Sequence, residues 1–194
     1  MAKSDSEAAK RERNKTRKWV VQIFLVTIFV SATISFLSDE IMANSSIFMA
    51  FVILLIIVLV GIVFDIIGVA VTSADEKPFH SMAARKVPGA HESIKLLRNA
   101  ERVSSICNDV VGDICGVVSG SASATIAAEV LRNFEFSWPR IITLAMSALV
   151  AALTVGGKAI GKTFAIKSST FIVHGVGRVM YVLHRVTGTT SKKK

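Results

Sequence analysis

The sequence predicts an all-α integral membrane protein. It has about four crossing helices, a cytoplasmic interfacial hairpin and a C-terminal amphipathic helix. Three observations predict this. The chain is 52% hydrophobic, with a mean hydropathy of +0.55, which is high for a soluble domain. Its charged residues, 19% of the total, crowd at the termini and in residues 75–102. Between these blocks lie apolar runs long enough to cross a hydrocarbon core of about 30 Å. The net charge of +9 sits in segments that flank the apolar runs. It therefore reads as positive-inside orientation and not as a nucleic-acid footprint.

The elements follow in order. Residues 1–18, dense in Lys and Arg, predict a basic, mobile cytoplasmic tail. Residues 19–45 hold an additional N-terminal span, Trp19 to Leu37, and the external loop "SDEIMANSS". Ser38-Asp39-Glu40 is not a small-residue cleavage site, so the span is read as retained. A second span begins near Ser46, and Asp65 falls towards its cytoplasmic boundary. Residues 75–102 turn polar and basic. Pro78 and Pro88 divide them into two short helices, about 79–87 and 89–99.

The third span, about Val103 to Leu131, carries Asn108, Asp109, Asp113, a row of hydroxyl residues and Glu129. Gly112, Gly116 and Gly120 recur every four positions in it and offer a helix-packing ridge. "RNFEFSWPR" reads as an external turn. A fourth span runs from Arg140 to about Val155, and "GGKAIGKTFAIKSS" is expected to end or kink it. Residues 168–186 pattern as an amphipathic interfacial helix, and 187–194 are a basic tail. Both termini are thus expected in the cytoplasm.

Cys107 and Cys115 are eight residues apart in one apolar segment and read as small buried hydrophobes. Gly156 to Thr163 meets the spacing of a phosphate loop, but it follows an apolar span with no α/β pattern around it. No catalytic constellation stands out, and the chain is read as a non-enzyme.

Three stretches together resemble the membrane domain of the cyclin M / CorB–CorC magnesium (cobalt) transporter family. They are "VAVTSAD" at 69–75, "NAER" at 99–102 and "GKAIGKTFA" at 157–165. They match that family's "ALTSA", "NPER" and "GEVLPKTLA" in order and spacing. The resemblance covers about residues 46–186 and includes no CBS-pair regulatory domain. It implies a divalent-cation transporter, Mg²⁺ as the ion and a homodimer formed through the membrane domain, here the glycine-rich third span. No other cofactor is expected. The expected location is the plasma membrane of a prokaryote. The family's "SGSE" aligns with Asp65-Ile66-Ile67-Gly68, and Lys158 stands where the family has Glu.

Asp109 and Asp113 are four apart and share a helix face. Each intramembrane carboxylate costs about 2.5–3.5 kcal/mol on insertion scales, so something must neutralise them. Two readings stand. Asp65, Asn108, Asp109 and Asp113 form an oxygen-rich cation site. Alternatively, Lys158 and Lys162, at similar depth, pair internally with the acids. The first predicts a transporter. The second predicts a non-transporting membrane scaffold or regulatory protein that keeps the fold.

Overall fold

The computed structural model describes residues 2–43, 46–133 and 138–186. Parts of both expected external loops and the basic tail 187–194 lie outside them. The described residues form helices joined by short turns. α1 is Ala2–Ala43, α2 Ile47–Ser73, α3 Lys77–Ala84 and α4 Ala90–Arg98. α5, Ala100–Ser105, passes through a π-helical segment, Ile106–Gly112, into α6, Asp113–Asn133. α7 is Pro139–Lys167 and α8 is Ser169–Val186. Four stretches are long and apolar enough to cross a membrane: Arg17–Ser38, Ile47–Ser73, Ala100–Asn133 and Pro139–Lys167.

Three departures from the sequence reading have physical causes. The stretch expected to be a mobile tail continues α1 back to Ala2. It is rich in Ala, Lys, Arg and Glu, which favour helix, and has no Gly or Pro. α7 runs unbroken through Gly156 and Gly157 to Lys167. A Cβ on Gly157 would strike Ile62, and one on Gly161 would lie 2.7 Å from Ile66 Cγ1. Gly157 and Gly161 therefore let α7 approach α2 closely, and packing offsets their poor helix propensity. The third departure is the π segment, which interrupts the third span at "ICNDVVG".

α2 is the central element. It packs along α6 and α7, and its C-terminal half also meets α5 and α8. Its core is divided by depth. At one end, Ala50, Leu54 and Val58 meet Ala122 and Ile126 of α6 and Val150 of α7. At the other, Ala70 and Val71 meet Phe79 of α3, Ile94 of α4, Ala165 of α7 and Val173 of α8. This second end carries the α3–α4 hairpin and is called the hairpin end below. α1 lies against α6 through Ile23, Val30 and Ile34, which pack on Val110, Ile114 and Val118.

The hairpin matches its expectation within a few residues. Pro78 occupies the first turn of α3, where a missing N–H costs nothing. Gly89 opens α4 at φ 87°, a left-handed conformation that favours glycine. Glu76 accepts from Arg98 Nε at 3.2 Å and lies 3.1 Å from His80 Nε2, tying the start of α3 to the end of α4.

Several hydroxyls of the third and fourth spans bond back to their own helix. Ser119 donates to Gly116 O at 3.0 Å, Ser121 to Val118 O at 3.0 Å and Thr154 to Val150 O at 2.8 Å. Glu129 holds Arg132 at 2.7 Å near the end of α6.

Candidate functional site

The two apolar clusters are separated by a polar layer, and α2 sets its geometry. Gly61, Asp65 and Gly68 lie on one face, spaced four and three residues apart, and all three are buried. The third span runs antiparallel past this face. Gly61 faces Cys115, where an added Cβ would come within 2.9 Å of Cys115 Cβ. Gly68 faces Asn108, and an added Cβ would overlap Asn108 Oδ1. Asp65 lies between these two contacts, about 12 Å along the helix from its end at Ser73 at 1.5 Å per residue.

Asp65 is 5% exposed. Its Oδ1 lies 3.9 Å from Lys158 Nζ of α7. The same ammonium donates to the carbonyl oxygen of Gly112 at 3.4 Å. Gly112 is the last residue of the π segment. A Cβ there would stand 3.4 Å from Lys158 Nζ and 3.3 Å from Cys107 O. The lysine thus joins α2, the π segment and α7 at one point. A positive charge and a buried carboxylate partly satisfy each other, as low-dielectric burial requires.

Two acceptor oxygens in this layer have no hydrogen-bond partner among the described residues: Asp65 Oδ2 and Asn108 Oδ1. Asn108 is anchored by its other atom, with Nδ2 donating to Ser104 Oγ at 3.2 Å. Its oxygen is left facing α2 at Gly68.

The remaining residues of the expected cation set are placed differently. Asp109 is exposed and accepts from Ser105 Oγ at 2.7 Å. Asp113 is exposed at the first position of α6. Among the described residues no three His, Cys, Asp or Glu side chains gather as a metal-holding group. The structure therefore brings together Asp65, Asn108, Gly112 and Lys158, and leaves Asp109 and Asp113 outside that layer. Lys158 meets Asp65, not the two acids of the third span. Lys162, the other expected partner, is exposed.

The glycine ridge also divides. Gly112 is buried at the lysine contact, whereas an added Cβ on Gly116 or Gly120 would meet nothing within 4 Å. The tight glycines of the bundle are Gly61, Gly68, Gly157 and Gly161. The spacing of 157 and 161 was a readable packing signal, hidden by the expectation of a helix end. Nothing in the sequence marks the π segment, whose widened turn carries Asn108 and ends on Gly112. Cys107 and Cys115 are buried and free, as expected.

No family model matches the chain, and no curated protein and no solved structure matches it.

Proposed function

We propose that the chain is an integral membrane protein of the divalent-cation-transporter type in which a tethered ammonium, Lys158, stands in for the cation. On this reading it serves as a membrane scaffold or regulatory protein and does not carry Mg²⁺ itself. The observation that carries the reading is the Lys158 ammonium, 3.9 Å from Asp65 Oδ1 and 3.4 Å from Gly112 O. Those are the hard oxygen donors that a divalent cation would seek. One positive charge already balances Asp65, the buried carboxylate among the described residues. Insertion is supported by the many exposed apolar side chains along the spans, Phe29, Phe48, Leu144 and Val117 among them. So much exposed apolar surface does not suit water, although exposed Asp109 and Asp113 interrupt it on the third span. The basic hairpin and α8 lie together at one end, which the positive-inside rule assigns to the cytoplasm.

A second reading, cation transport, is favoured by a different observation. Asp65 Oδ2 and Asn108 Oδ1 are buried acceptors without partners, and such oxygens favour a cation or a proton donor. One experiment separates the two readings. Purified protein in liposomes is assayed for Mg²⁺ and Co²⁺ flux, alongside Asp65→Asn. The scaffold reading expects flux equal to that of protein-free liposomes. Flux that Asp65→Asn abolishes establishes transport and rejects the scaffold reading.

A further inference from the structure

α8 has one fixed face and one free face. On the fixed face, Ser169, Val173 and Gly177 are buried. The Ser93 hydroxyl of α4 lies 2.9 Å from Gly89 O and 3.2 Å from Val173 O, with one proton to share between them. A Cβ on Gly177 would overlap Ser93 Oγ and come within 2.6 Å of Gly89 O. A Cβ on Gly89 would come within 2.6 Å of Arg178 N. The two backbones therefore touch, and α8 cannot rotate about its axis without breaking this contact.

The fixed rotation decides what the free face shows. Phe171, Val179, Val182 and Val186 are exposed at 79%, 60%, 50% and 79%. With exposed Gly175 between the first two, they recur every three or four residues and form one stripe. Arg178 and Arg185 are exposed, seven residues apart, and border the stripe on one side. α8 begins at Ser169, directly after α7 ends at Lys167. If α7 spans the bilayer, the start of α8 lies at headgroup level.

We propose that α8 lies on the cytoplasmic leaflet, with its stripe in the acyl boundary and Arg178 and Arg185 bound to the phosphates of anionic lipids. This rests on the membrane reading above. An amphipathic helix with an apolar sector edged by arginines has the chemistry of an anionic membrane surface. Guanidinium forks match phosphate oxygens. A second copy of α8 fits the stripe less well. Packing two such helices antiparallel sets Arg178 of one copy near Arg185 of the other, and like charges repel.

The test uses the full chain with Trp19→Phe and Trp138→Phe as background, reconstituted into vesicles of equal phosphatidylglycerol and phosphatidylcholine. Val182→Trp reports the stripe, and Leu149→Trp in α7 reports the span. Bromine placed high on the acyl chains is expected to quench both tryptophans at least twofold. Bromine on phosphatidylglycerol alone is expected to quench Val182→Trp at least twofold more than bromine on phosphatidylcholine alone. Arg178→Ala with Arg185→Ala is expected to abolish that difference. Quenching of Leu149→Trp without quenching of Val182→Trp overturns the proposal and leaves the membrane reading intact. If neither is quenched, both fail. Equal quenching by the two headgroups overturns the anionic assignment. Disulfide capture between two copies at Val182→Cys gives the stripe to a second chain instead.

Discussion

Asp65 and the pair Asp109 and Asp113 lie in spans that pack together, yet the fold treats them oppositely. Asp65 is buried beside a lysine from another helix. Asp109 and Asp113 are exposed on the third span, and among the described residues Asp109 is held by a serine one turn back. Two glycines make the difference. Gly61 and Gly68 flank Asp65 and admit the third span so closely that no water layer fits between them. Outward of Asp113, Gly116 and Gly120 face open space. An acid's surroundings follow from the helix that covers it, and its own apolar neighbours in sequence are a poor guide.

The largest expected effect tests the buried side. Lys158→Met leaves Asp65 uncompensated and is expected to destabilise by about 3 kcal/mol. That is the low end for a broken buried pair, because the separation is 3.9 Å and Lys158 is partly exposed. Thermal unfolding in detergent measures it. Adding Asp65→Leu is expected to recover most of the loss. If the double variant is no more stable than Lys158→Met, the two charges do not act as a pair.

Next comes the seam. Gly61→Ala and Gly161→Ala press a methyl group onto Cys115 and Ile66 and are expected to cost about 1–3 kcal/mol, the range for overpacking. Gly116→Ala and Gly120→Ala meet no atom within 4 Å. They are expected to leave stability unchanged or raise it by up to about 1 kcal/mol through helix propensity. A loss at Gly116 or Gly120, together with a fall in cross-linked dimer, would show that a second copy covers that face. That result would support the homodimer expected from the glycine repeat.

The smallest effect belongs to the exposed acids. Among the described residues neither acid pairs with another helix, so Asp109→Asn and Asp113→Asn are each expected to cost no more than about 0.5 kcal/mol of stability, and loss of a charge that faces lipid works in the opposite direction. A loss beyond about 2 kcal/mol in either would place a partner on that face and erase the contrast with Asp65.

Much of the architecture was legible from local pattern. Long apolar runs located the spans, Pro78 and Pro88 divided the hairpin helices, and Phe171, Val173, Val176, Val179, Met180 and Leu183 set against His174, Arg178, His184 and Arg185 gave the amphipathic α8. Asp65, Asn108 and Lys158 were each singled out from residue type and depth. Their grouping was not legible. The lysine was expected to answer Asp109 or Asp113, because those acids formed the conspicuous sequence feature.

The sequence by itself determined the helices, their polarity pattern and the end at which the basic residues gather. Helix formation and amphipathicity depend on residues within one or two turns of each other, so they can be read along the chain. Only the tertiary structure decided which carboxylate is buried and what faces it. That choice depends on the approach of three helices at Gly61, Gly112 and Gly161, and on a π segment that sets Asn108 and the Gly112 carbonyl towards α2 and Lys158. Burial makes a charge costly and a partner necessary, and it is created by contact between segments far apart in the chain.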